Sequence, residues 1–496
     1  VYLAAMVGIG AVLAKQNQTT DDFYLGGRTL GPLVTAMSAE ASDMSSWLLM
    51  GLPGVAYLSG TADATWTAIG LAIGTYVNWL VVAKRLRNYT HVCGNSTTLP
   101  LFFSNRYRDN KRILSVIAAL LIIIFFVPYT ASGFAACGKL FANLFGMDYL
   151  PAMLISAIVI VAYTTLGGFL AASTTDFVQS IVMTIAIVVV FGFGISKVGS
   201  FSAVMDNAKS MAGYFSLTHT HDVATGTASP YSLLQIFSTL AWGLGYFGMP
   251  HVLLRFMAIG DANKLKLSRR VATVWVVISM AVSVFIGVIG NAMTKAGVLP
   301  TLKDPETIIL VVADLISKHG VLATIIAGLI LAGILAATMS TADSQLLAAS
   351  SSASQNILKE VFMKDMSEKT GMLIARITVL VIALIGVFIA RNPDSSVFQI
   401  VSFAWAGFGA SFGPLVLLAL FWKRSTFQGA LCGMVSGGVM VFVWKFLIRP
   451  MGGALGIYEL LPAFLLGLAV NVIVSLLTPA PSREVQDEFD KVASMK

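Results

Sequence analysis

The chain has 496 residues, 57% of them hydrophobic and 11% charged, with a net charge of +8 and a mean hydropathy of +0.82. Soluble domains carry about 25% charged residues, so this composition excludes a water-solvated globular domain and points to lipid as the solvent. Cys93, Cys137 and Cys432 form no CxxC pair, so no disulfide framework or thiolate metal site is expected.

A membrane span needs ~20 mainly apolar residues. Thirteen segments are predicted, at 1–14, 33–59, 64–83, 113–138, 150–171, 177–197, 232–257, 272–294, 321–351, 372–390, 397–421, 428–447 and 459–477. The first is too short to span and reads as the remainder of a first helix. Segment two, SAEASDMSSWLLMGLPG, mixes Gly, Pro, Ser, Glu40 and Asp43 into an apolar run. A mid-membrane acid costs at least ~2.5 kcal/mol, so it faces a cavity or a partner. Glu40 alternatively sits beside a wet vestibule. Asp176 precedes segment six, where it is either a dipole-favoured N-terminal acid or a functional one.

Segment seven, STLAWGLGYFGMPH, is the second Gly/Pro-interrupted span. Irregular backbone survives in lipid only against protein or a cavity. Two such segments five apart are the spacing of inverted repeats with a binding site near the midplane; tightly packed, kinked helices are the plainer alternative. The long 198–231 connection has no metal-ligand pattern, and 306–317 reads as a short amphipathic piece before segment nine. In segment nine, Ala337, Ser340, Thr341 and Ser344 fall on one helix face, beside Asp343. A lone serine usually bonds the carbonyl four residues earlier, but this cluster of oxygens suits a hard cation such as sodium.

Basic residues follow odd-numbered segments: Lys84, Arg85, Arg87, Arg106, Arg108, Lys111 and Arg112 after three, Lys264 to Arg270 after seven, Lys359, Lys364 and Lys369 after nine, Lys423 and Arg424 after eleven. Basic loops mark the cytoplasmic side, which puts the N-terminus outside and the C-terminus inside. No Walker A, HExxH or nucleotide fingerprint occurs, and no recognition module for nucleic acid, so an ATP-driven pump, an enzyme or a nucleic-acid binder has no support. A channel or a substrate sensor is the rival class.

The stretches 23–54, 162–179, 240–258, 334–347 and 402–414 resemble the sodium/solute symporter family, and ASDMS with WGLGYFGMPH is most similar to its proline-carrying branch. The resemblance implies an all-α integral membrane protein of the leucine-transporter-like fold, a five-plus-five inverted repeat with flanking helices. That divides the chain into 1–31, a truncated first helix and loop; 32–200, the first repeat; 201–425, the second; and 426–496, the last two helices and tail. It implies sodium-coupled uptake of L-proline across a bacterial cytoplasmic membrane, with Na+ as coupling ion and no organic cofactor. Carried over residue by residue, the sodium ligands are Ala41, Met44, Ala337, Ser340 and Thr341. Asp43, Ser45, Arg28 and Asp176 match coupling residues, and Trp242, Tyr246, Pro250 and Tyr129 match the proline pocket. Asp343, Ser344 and Asp176 match a second sodium site found in some relatives, although proline carriers usually move one ion. Glu40 and Ser46 replace glycines common in proline carriers.

Overall fold

The computed structural model describes residues 2–13, 15, 19–363, 366–392 and 396–495. Val1, Ala14 and Lys364, which belong to the predicted segments and loop charges, lie outside the described residues. The chain is almost entirely helical; its strands form one antiparallel hairpin, His219–His221 with Ala228–Pro230, inside the long 198–231 connection.

Among the described residues nine helices are long and apolar enough to cross a membrane. They correspond to predicted segments three, four, six and eight to thirteen. Segments one, two, five and seven appear instead as short or broken helices, with Tyr2–Leu13, Trp47–Ser59 and Tyr149–Ala162 the shorter apolar runs. Large apolar side chains such as Ile158, Leu384 and Phe388 stay exposed on the bundle surface, as a lipid-facing surface requires.

Local chemistry sets the ends. Pro32 and Pro250 each open a helix, where the missing N–H is not needed. Ser232, Ser396 and Thr426 cap helix N-termini with their hydroxyls, satisfying N–H groups that no helical carbonyl reaches. The predicted piece before segment nine is the Ile308–Ser317 helix.

Segments five and six need a correction. They run as one helical stretch, Tyr149–Val198, broken at Gly168 by φ 64° and ψ −171°. Segment six therefore starts near Gly168 and not at 177. Asp176 lies eight residues inside it, about 12 Å along the axis, so a helix-terminus role does not apply.

Segments two and seven are interrupted where the sequence suggested. The Pro32–Asp43 helix stops at Met44 (ψ 65°), a wide-turn stretch covers Trp47–Gly51, and Leu52–Ser59 resumes. In segment seven, Leu233–Leu240 passes into a tight 3-10 stretch, Ala241–Gly248, and Pro250–Ala258 follows. The Val321–Ser351 helix packs against Tyr149–Val198 and Pro32–Asp43, and the 3-10 stretch packs against segments three and eleven.

Candidate ion and solute site

The break in segment two begins with a hydrogen bond made to the wrong partner. The Ser45 N–H donates to the Asp43 carbonyl (2.8 Å) and not to Ala41 four residues back. The Ala41 carbonyl instead accepts from the Ser340 hydroxyl at 2.8 Å. That same hydroxyl lies 3.2 Å from the Ala337 carbonyl, which also accepts from Thr341 at 3.1 Å. Four of the five sequence-predicted sodium ligands thus form one cluster, fully buried, between the opened helix and the Val321–Ser351 helix. Met44 is the residue at which the helix ends. Among the described residues its carbonyl accepts no hydrogen bond from the cluster.

Asp43 is 5% exposed. Its Oδ2 accepts from the Tyr246 hydroxyl at 2.6 Å, so the two interrupted segments meet through one carboxylate. The Tyr129 hydroxyl donates to the Asp43 carbonyl at 3.4 Å. Asp43 Oδ1, Ser46 Oγ and Trp47 Nε1 are buried without a protein partner, and buried polar groups without partners are rare enough to suggest a ligand. Ser45 Oγ accepts from the Trp47 N–H at 3.1 Å, which shapes the turn.

Trp242 stacks in an aromatic cluster that the sequence reading missed: Trp47 at 5.7 Å, Phe398 at 5.6 Å, Trp405 at 6.2 Å and Tyr458 at 5.1 Å between ring centroids. Trp405 Nε1 donates to the Trp242 carbonyl at 2.7 Å. The glycines of segment seven admit rings and backbones of the protein itself. A Cβ on Gly245 would overlap the Trp405 indole, and one on Gly243 would overlap Gly70 of segment three. Pro250 stands apart from this cluster, as the first residue of the next helix. Trp47 and Trp405 lie in the quoted stretches 23–54 and 402–414 and could have been found there; Phe398 and Tyr458 lie outside them.

Glu40 is 1% exposed, so it is no vestibule residue. Its Oε1 accepts from Trp79 Nε1 at 2.8 Å and from Thr75 at 3.0 Å. Asp176, fully buried, accepts from Ser38 at 2.7 Å and from Arg255 at 3.1 Å. Arg255 also donates to Ser344 at 2.6 Å, and Ser344 lies 3.1 Å from Asp343 Oδ1. Asp176 and Ser344 are therefore brought together by a guanidinium, and Asp343 joins them only through Ser344. Arg255 was missed, although an arginine inside 232–257 is itself a signal.

The two ends of the bundle differ. On the basic end Arg28 donates to the Met257 and Ser96 carbonyls at 2.6 and 2.8 Å and to Asn95 at 3.2 Å. Burial, with Arg87 nearby, lowers its pKa to about 10, so it stays charged at neutral pH. On the opposite end a cavity of about 220 Å³ reaches Trp242, bounded by Asp63, Tyr231, Phe398, Arg449 and Tyr458.

The model of the sodium:solute symporter family matches residues 23–437. The osmoregulated proline transporter OpuE of Bacillus subtilis is 40% identical over 484 residues, 97% of this chain and 94% of that protein. The sodium/proline symporter of Salmonella typhimurium is 41% identical over 496 residues, 99% of this chain and 94% of that one. Among solved structures, a Na+-coupled sialic acid symporter in a substrate-bound outward-open state is similar, with a TM-score of 0.78 at 19% identity over 97% of each chain. MhsT in complex with L-phenylalanine is similar at a TM-score of 0.56 and 13% identity, over 90% of this chain and 99% of that one. These two likenesses speak to the fold alone. The family match over most of the length, with relatives at this identity across nearly the whole chain, shows that this protein belongs to the sodium:solute symporter family.

Proposed function

We propose that the protein is a symporter that takes up L-proline with sodium by alternating access. The observation that carries the ion site is the bond from Ser340 to the Ala41 carbonyl, a carbonyl freed by the break in segment two. Sodium, a hard cation, would be held by the oxygens of Ala41, Met44, Ala337, Ser340 and Thr341, with the Ser340 hydroxyl turning its proton away from the Ala41 carbonyl. Binding there fixes segment two against segment nine. The names of the relatives support proline as the solute. Its saturated ring would lie against Trp242 and Tyr246, with Tyr129 beside them, and Asp43 would link the ion site to the pocket through Tyr246. Pro250 would act by holding the end of the 3-10 stretch.

The same reading takes thirteen spans, in two inverted repeats at 32–200 and 201–425, after 1–31 and before 426–496. The basic end is cytoplasmic, so the C-terminus is inside and the N-terminus outside, in a bacterial cytoplasmic membrane. The cavity at Trp242 then opens outward while Arg28 holds the inner side shut. One charge moving through 100 mV supplies ~2.3 kcal/mol, and tenfold accumulation needs ~1.4 kcal/mol, so one sodium suffices to concentrate proline some tens-fold. Radiolabelled proline uptake into proteoliposomes is the test. Accumulation should require an inward sodium gradient; equal uptake with choline in place of sodium would refute the coupling.

A further inference from the structure

Arg255 is among the largest fully buried side chains and is 1% exposed inside the bundle. Its guanidinium bridges several helices. Nε donates to Ser38 at 3.0 Å, Nη2 to Asp176 Oδ2 at 3.1 Å and to Ser344 Oγ at 2.6 Å, and Nη1 to the His251 carbonyl at 3.0 Å. Its flat face lies over the Phe169 ring, 4.9 Å from the centroid. Ser344 in turn reaches Asp343 Oδ1 at 3.1 Å and the Ser340 carbonyl at 2.9 Å. Asp176 and Ser344 on the guanidinium, with Asp343 on Ser344, gather the carboxylate and hydroxyl oxygens a second sodium would use, Asp343 standing two positions after Thr341 of the proposed first site.

We propose that the Arg255 guanidinium is a resident cation that fills this second position and thereby holds coupling to one sodium per proline. The proposal rests on the reading of the Ser340 cluster as the sodium site. A guanidinium is a delocalised cation with five N–H donors and no acceptor. A sodium entering between Asp176, Asp343 and Ser344 would meet that charge at hydrogen-bonding distance in a poorly screened interior. It would also have to strip Nη2 of its two acceptors, and a buried charge stripped of its partner is strongly unfavourable. The resident charge is tethered to the helix that follows the break in segment seven, so it stays with the protein throughout the cycle and carries no net charge across.

The test is equilibrium binding of radioactive sodium to purified protein, together with the charge moved per proline in proteoliposomes. Wild type should bind about one sodium, Arg255→Lys about one, and Arg255→Gln about two, with a Hill coefficient rising above one. Adding Asp176→Asn to Arg255→Gln should return the count to about one. Arg255→Gln that still binds a single sodium, or a wild type that binds two, overturns the proposal. A wild type that binds none overturns the sodium-site reading beneath it. Because Arg255→Gln leaves Asp176 without its partner, its thermal unfolding is also compared in sodium and in choline. A sodium-dependent rise in Tm larger than that of wild type supports replacement of the guanidinium by the ion; failure to fold even in high sodium overturns it.

Discussion

Ser340 and Thr341 converge on two carbonyls, and in the proposed sodium site each would supply one oxygen in place of water. Ser340→Ala and Thr341→Ala should each raise the sodium concentration for half-maximal proline uptake at least ~10-fold, a loss of ~1.4 kcal/mol. Uptake curves against sodium check this, and unchanged curves in both variants would remove these residues from the site. Tyr246 makes a different contribution. Its hydroxyl is a partner of the buried Asp43 carboxylate at 2.6 Å, and a hydrogen bond to a charged group is worth ~1.5–3 kcal/mol. Tyr246→Phe should weaken proline tens-fold in competition assays while leaving the yield of folded protein similar. Wild-type affinity in that variant would place the pocket elsewhere. The hydroxyl cluster was legible because its members repeat along one helix face. Arg255 was visible as an arginine inside segment seven, but its role was not, because that depends on a partner 79 positions away.

Gly245 belongs to the 3-10 stretch that joins the halves of segment seven, and its missing Cβ is where the Trp405 indole lies. Gly245→Ala drives a methyl into that ring. Overpacking of this kind costs ~1–3 kcal/mol, so Tm should fall by several degrees and proline binding should weaken with it. Adding Trp405→Phe, a smaller ring, should recover part of the Tm; no recovery would mean the strain lies in the backbone. The breaks in segments two and seven were visible from Gly and Pro inside apolar runs, which lipid tolerates only against protein or a cavity. The junction of segments five and six was misplaced because the stretch 168–176 has mixed hydropathy. Only the left-handed φ at Gly168 locates the break.

At the scale of the whole molecule a network through Arg28 ties the entry of segment two to Met257 at the end of segment seven and to Ser96, and in the proposed reading it holds the basic end shut. Arg28→Ala should loosen that end. The native Cys93, buried there, is the reporter: its labelling by a membrane-impermeant maleimide from the basic side should speed up several-fold, with the buried Cys137 unchanged. An unaltered Cys93 rate would show that the network does not hold this end shut. Composition and hydropathy by themselves determined a helical membrane protein, since span length is a local property of the chain; the proposed orientation of the bundle rests on loop charge alone. The places where helices open were also local, because Gly and Pro act on their own backbone. The partners of Glu40, Asp43 and Asp176, the ring filling the Gly245 slot and the guanidinium shared by Asp176 and Ser344 were decided only by tertiary structure. Each depends on how helices distant in sequence rotate and cross against one another, and no spacing along a single segment encodes that.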